Sequence, residues 1–164
     1  MISNLISVII GAILGFLSSI GVFYVQKKNK RRKVRKGLLK DLENKKPQIK
    51  NIKKSYEEIG KKQLPVVKPV DNTVYKVFLE DISSLTEEEI EKIIDFYTSL
   101  EKINRIIVRG NEIKDKMRIE GVDNVEEELK GTLGVILEVN YNDIKKLPEK
   151  LDNARKVIKD KYRK

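Results

Sequence analysis

The sequence predicts an all-α protein: one N-terminal transmembrane helix, a helical stalk, then a small cytosolic helical bundle. Three observations carry that reading. Met1–Gln26 contains no charged side chain, eight of the next ten residues are Lys or Arg, and beyond residue 70 the apolar residues recur at helical spacing. The chain divides accordingly into a transmembrane anchor (1–26), a basic juxtamembrane region with the stalk (27–63) and a cytosolic helical domain (64–164).

The anchor comes first. Leu5–Val25 is 21 residues long; at a rise of about 1.5 Å per residue it spans roughly 32 Å, the thickness of a bilayer's hydrocarbon core. A cleaved signal peptide places its basic residues before a shorter apolar run, and here they follow it. Those charges also set the orientation. The positive-inside bias keeps them in the cytoplasm, so the N-terminus faces outward and the protein sits in the cell membrane as a single-pass protein. Phe23 and Tyr24 fall at the inner boundary, where aromatic rings settle. Within the span Ser3, Ser7, Gly11, Gly15 and Ser19 are spaced by four. Gly11-x-x-x-Gly15 is the pattern that lets two membrane helices approach closely, so Ser7, Gly11, Gly15 and Ser19 form the expected face of a homodimer. Gly and Ser are also common in membrane helices, and chance produces such spacings.

The basic run is Lys27, Lys28, Lys30, Arg31, Arg32, Lys33, Arg35 and Lys36, a charge of +8. Its position assigns it to topology and to contact with anionic inner-leaflet lipids, each cation contributing about 1 kcal/mol near the surface. Residues 37–63 add eight basic and four acidic residues, and residues 64–164 hold 19 basic and 21 acidic ones. The excess charge therefore sits beside the anchor, and the domain has a mixed, nearly neutral surface. That profile disfavours nucleic acid as a partner of the domain. No aromatic residue interleaves the cations between Lys27 and Lys54, which disfavours a nucleic-acid tether there as well.

In the stalk, Leu38, Leu42, Ile49, Ile52, Tyr56 and Ile59 occupy a and d positions of one heptad frame. The same frame places Arg35 and Lys45 at core positions, and Pro47 interrupts it. The expectation is a helix leaving the membrane as far as Asn44 and a second beginning with Pro47 in its first turn. Gly60 and QLPVVKPV, with Pro65 and Pro69, then read as an extended linker.

In the domain, Asp71 caps a short helix carrying Val74, Val77, Phe78 and Ile82. Thr86 and Glu89 make a capping box that opens the clearest amphipathic helix. Ile90, Ile93, Ile94, Tyr97, Leu100, Ile103 and Ile107 lie on one side of it, and Glu91, Asp95, Thr98 and Lys102 on the other. It ends near Gly110 or runs on through Ile113 and Met117 to Gly121. Asp123 and Glu126 repeat the capping signal, followed by Val125, Leu129, Leu133, Ile136 and Ile144. Pro148 marks a stop, and Leu151, Ala154, Ile158 and Tyr162 come after it. The branched residues of GVILEVNY (134–141) would suit a strand, but a lone strand has no partner in sight, so helix is expected there too.

Cys, His and Trp are absent. Disulfides, imidazole catalysis and Cys/His metal sites are thereby excluded. The acidic clusters Glu87-Glu88-Glu89 and Glu126-Glu127-Glu128 each follow a capping residue. Helix-dipole complementarity accounts for both, at about 0.3–1 kcal/mol per carboxylate. A carboxylate site for Mg or Ca is the functional alternative. Tyr56 and Tyr97 read as core or interface residues. No catalytic, cofactor-binding or metal-ligating residue is singled out, and no cofactor is expected.

The order of anchor, basic patch, LLKDLENKKPQIKNI, Pro-rich linker and a helix containing DFYTSLEKIN resembles uncharacterised prokaryotic single-span membrane proteins with small helical cytosolic domains. The resemblance implies architecture and brings no activity with it. The expected function is a membrane-anchored cytosolic interaction or scaffold module, not evidently catalytic, with an unidentified cytosolic or membrane protein as partner. The alternatives are a carboxylate-dependent metal enzyme at the membrane, or a nucleic-acid tether acting through residues 27–63.

Overall fold

The computed structural model of the protein describes residues 2–59, 68–120 and 126–162, and among these there is no strand. The elements are α1 (Ile2–Ile59), α2 (Thr73–Phe78), a 3₁₀ turn (Ile82–Ser84), α3 (Glu87–Glu120) and α4 (Glu126–Tyr162). The all-helical expectation holds, and residues 134–141 lie within α4. Residues 60–67 and 121–125, which include most of the expected linker and the Asp123 cap, fall outside the described residues. So do the side chains of Ser3, Ser7, Ile59, Met117 and Glu126–Tyr141.

α1 is one helix of 58 residues, about 87 Å long at the standard rise. Its apolar first part, Ile9–Val25, is exposed at every position, and it is long and apolar enough to cross a membrane. The expected break after Asn44 is corrected, because Pro47 lies inside α1. Pro47 sits on the exposed face, while Leu42, Ile49 and Ile52 are buried on the other. An interior proline costs about 3 kcal/mol, whereas burying each Leu or Ile contributes about 1.5–3 kcal/mol, so packing wins. The expected stop at Pro148 is corrected on the same ground. It lies inside α4, flanked by buried Ile144, Leu147 and Leu151.

Cross-helix pairs give the directions. Arg35 meets Glu89 and Asp41 meets Tyr97, so α3 runs parallel to α1. Arg155 meets Glu43 and Lys46 meets Asp152, so α4 returns antiparallel to α1. The pairs Lys102–Asp143 and Lys150–Asp95 make α4 antiparallel to α3 as well. α4 lies closest to both partners, and α1 meets α3 mainly through long side chains. The described residues between α1 and α3, from 68 on, carry the chain back toward the apolar part of α1. Asn104 fixes its start: the side-chain carbonyl accepts from Val70 N–H at 2.8 Å, and the amide donates to Val70 C=O at 2.7 Å. Further along, the Phe78 ring packs where Gly37 has no side chain; a Cβ on Gly37 would collide with it.

One hydrophobic core joins Leu38, Leu42, Ile49, Ile52 and Tyr56 of the stalk to Ile93, Phe96, Leu100 and Ile103 of α3. Leu147, Leu151 and Ile158 of α4 complete it. The core therefore extends across residue 63, and residues 34–56 pack as part of the helical unit. Ile94, expected on the apolar face of α3, is 43 % exposed; Phe96 takes the core position instead. Val34, Val70, Leu85 and Leu147 are buried without having stood out in the sequence.

Candidate functional site

The eight basic residues after the apolar run share one helix but not one environment. Lys27, Lys28, Lys33 and Lys36 are exposed. Lys30 and Arg32 are exposed too but each has a partner on a neighbouring element, whereas Arg31 and Arg35 are drawn inward. Lys30 pairs with Asp81 at 2.6 Å, and Arg32 stands 5.9 Å from the Tyr162 ring centre, within cation–π range. Arg31 is half-buried, with Nε buried and unpartnered among the described residues.

Arg35 is the most committed. Its Nε and Nη2 donate to the two oxygens of Glu89 at 2.7 and 2.9 Å, a bidentate pair. Its Nη1 donates to the Lys161 carbonyl at 3.3 Å, one of the orphan acceptors at the end of α4. Glu89 is fully buried and closes the capping box expected from the sequence. It accepts from Thr86 N–H and Oγ1 at 2.9 Å each, and its own N–H reaches Thr86 Oγ1 at 3.4 Å. Burial pushes the Glu89 carboxyl up, but the hydrogen bonds from Arg35 and Thr86 outweigh that and hold its pKa below the usual value.

One and a half turns further along α1 lies a second polar knot. Lys45 donates to Asp41 Oδ1 at 2.8 Å, and both are buried. The other oxygen of Asp41 accepts from the Tyr97 hydroxyl. Burial first, then the bond to Asp41, pushes the Tyr97 phenol well above its ordinary range. Tyr75 stacks on the Tyr97 ring at 4.0 Å and Phe96 meets it edge-on at 4.9 Å. Asp71 also acts as expected in part: its carboxylate accepts from Thr73 N–H, although Asn72 is the capping residue.

What this arrangement can do chemically is limited by its own saturation. Among the described residues both buried carboxylates, Asp41 and Glu89, have their oxygens taken by cations and hydroxyls. The described carboxylates whose pKa is displaced, Asp71, Glu89 and Glu101, are all displaced downward, the reverse of a general acid. Among the described residues, two shallow grooves are lined by groups from neighbouring helices. One of about 480 Å³ lies between α3 and α4 beside Lys92 and Lys156; the other, about 570 Å³, lies between α2 and α3 beside Lys76 and Arg105. Neither receives a buried carboxylate. The second acidic cluster, Glu126-Glu127-Glu128, opens α4 with its side chains outside the described set.

The small-residue face is open where it can be described. Nothing within 4 Å of Gly11 or Gly15 occupies the place of a Cβ, and Ser19 Oγ donates back to the Gly15 carbonyl at 2.9 Å. The roles that sequence reasoning missed belong to Arg35, Glu89, Asp41 and Lys45. The signals were present: Asp41 and Lys45 form an i,i+4 pair inside an apolar seam.

Comparison of the chain with protein-family models, with curated proteins and with solved structures finds no match.

Proposed function

We propose that the protein is a single-pass membrane protein whose cytosolic helical bundle holds a partner protein, or a second copy of itself, at the inner membrane surface. The observation that carries the reading is the double character of α1. Over Ile9–Val25 every residue is exposed and none is charged, while over residues 34–56 the same unbroken helix buries one stripe. Apolar exposure on that scale matches a bilayer as solvent, and the basic run supports a cytoplasmic position for the packed part through the positive-inside bias. The saturated carboxylates favour an interaction module over an enzyme. The open Gly11/Gly15 face supports a homodimer, and Lys27, Lys28, Lys33 and Lys36 are placed to meet anionic lipid.

Because the chain has no cysteine, topology can be read from single introduced thiols. Ile2→Cys should label from outside intact cells and Lys68→Cys only after permeabilisation; the reverse pattern would sink the reading. Affinity purification from native membranes should then return a stoichiometric protein partner or the chain itself. A second reading, a nucleic-acid tether, is favoured by one feature. Lys33, Lys36, Lys40, Lys50 and Lys54 are all exposed and share the side of α1 opposite the core. Salt-dependent binding of duplex DNA by the nanodisc-held protein, lost when these five become Gln, would favour it.

A further inference from the structure

The outer faces of α1 and α3 carry opposite charge at the same height. Lys33, Lys36 and Lys40 are exposed, and none has a carboxylate partner among the described residues. They lie within about 60° of one another around α1, on the far side from Arg35 and Asp41. The next acid on that face, Glu43, is held by Arg155 at 3.6 Å. Across the bundle, Glu87 and Glu91 are exposed on the far side of α3 from Glu89 and Tyr97. Arg35 and Asp41 reach inward to Glu89 and Tyr97, so the two outer faces look in opposite directions. Those pairs also set the level, matching residues 54 and 56 apart on parallel helices. Glu87, Glu91 and Ile94 come 54, 55 and 54 residues after Lys33, Lys36 and Lys40. The two triplets therefore stand level.

The remaining charges leave the complement intact. At this end of the bundle Glu88 is met by Lys161, Glu91 by Lys92, Asp95 by Lys150 and Asp81 by Lys30. Exposed Glu80 and Glu87 are left without a cation among the described residues. Ile94 adds an exposed apolar surface, of the kind that the methylene stem of a lysine covers. Farther from the anchor the match ends, because Lys50 on α1 and Arg109 on α3 are both exposed and alike in sign.

We infer that copies of the protein pack side by side in one membrane, with Lys33, Lys36 and Lys40 of one against Glu87, Glu91 and Ile94 of the next. The inference rests on the membrane-anchored reading above and names the partner which that reading left open. Spans in one bilayer hold two copies upright at equal height, so faces that are level within a chain are level between chains. Exposed ion pairs are individually weak. Confinement to a membrane raises the effective concentration at which several of them act together. Because the faces look in opposite directions, the contact is head-to-tail and extends into rows.

Asn44 and Thr98 lie one turn beyond Lys40 and Ile94, and both are exposed and uncharged. In phosphatidylcholine vesicles at low salt, full-length Asn44→Cys mixed with full-length Thr98→Cys should be joined by a short bismaleimide. The double variant should give a ladder of three and more chains. The mixed product should fall severalfold in about 0.5 M salt. It should be lost when the Asn44→Cys chain also carries Lys33→Glu, Lys36→Glu and Lys40→Glu. It should return when the Thr98→Cys chain carries Glu87→Lys and Glu91→Lys; a charge swap that restores nothing overturns the inference. So does a mixed product no greater than that of Asn44→Cys with Ile119→Cys, the measure of chance collision. Asn44→Cys joined to itself but not to Thr98→Cys would replace the inference with a contact through α1 alone. Duplex DNA bound by the three lysines, with no mixed product, would give the face to nucleic acid instead. If alkaline carbonate strips the chain from the vesicles, the anchored reading fails and takes the inference with it.

Discussion

Arg35 and Lys45 occupy core positions of the same heptad seam, ten residues apart on one helix, and they are neutralised in opposite ways. Lys45 takes its carboxylate from its own helix, one turn back, and Tyr97 of α3 only completes the set. Arg35 takes its carboxylate from Glu89, at the start of α3, and adds the Lys161 carbonyl at the end of α4. The local pair is sealed in the core. The long-range pair lies at the end of the helices nearest the apolar run, where Arg35 keeps 16 % of its side chain exposed. The lesson concerns division of labour: Lys45 with Asp41 fixes which face of α1 is inside, whereas Arg35 with Glu89 fixes how far α3 slides along it. A buried ion pair is weak evidence for stability, and fixing register is its best-attested use.

The contrast is sharpest when each cation loses its carboxylate. Asp41→Ala leaves Lys45 charged in the core and the Tyr97 hydroxyl without an acceptor. The expected loss is about 3–5 kcal/mol, read as a large fall in Tm of the full chain in detergent by circular dichroism. Replacing both partners, Asp41→Leu with Lys45→Met, should recover most of it, because the penalty belongs to the orphaned charge. Recovery absent in the double variant would mean that the pair itself, not its desolvation, holds the seam.

Glu89→Ala should cost less, about 2–3 kcal/mol. The capping box accounts for about 1 kcal/mol, and Arg35 can turn toward water and escape full burial. Its loss should also loosen the register of α3 against α1, visible as faster amide exchange in the first turns of α3. A cost equal to that of Asp41→Ala would erase the distinction between sealed and half-open pairs. Tyr97→Phe comes next, at about 1.5–2 kcal/mol, since Asp41 loses one donor to a charged oxygen but keeps Lys45. A neutral result would show that the hydroxyl contributes nothing and that Asp41 serves Lys45 alone.

The same pair of sites shows what was legible from residues alone. Heptad spacing marked Leu38, Leu42, Ile49, Ile52 and Tyr56 as one buried stripe and placed Arg35 and Lys45 within it. Thr86 and Glu89 announced a capping box, because that motif is local in sequence. What local spacing could not show was the second role of Glu89, since its partner lies 54 residues away. Pro47 and Pro148 misled for a related reason. A proline's cost is local and visible, while the burial that outweighs it is tertiary. Ile94 is exposed and Phe96 buried because residues two apart on a helix point in different directions, and only the packed partner chooses between them.

The smallest expected effect is in acid, and it separates the two sites by mechanism rather than by size. The Glu89 pKa is held below its ordinary value in the folded protein by Arg35 and Thr86, despite burial pushing the other way. A carboxyl depressed in this direction contributes stability that is complete above its unfolded value, about pH 4.3, and is lost as pH falls through the folded one. Glu89→Gln cannot titrate and keeps an oxygen for the cap. Its Tm should lie below the wild-type value at neutral pH, with the gap narrowing as pH drops below about 4.3. Other carboxylates titrate in both proteins, so the difference between the curves isolates Glu89. Added salt should narrow the gap at neutral pH as well, because one end of this pair is hydrated and screened. Parallel curves down to acid would mean that Glu89 holds Arg35 by shape and hydrogen bonding alone, with its charge contributing nothing to the register of α3.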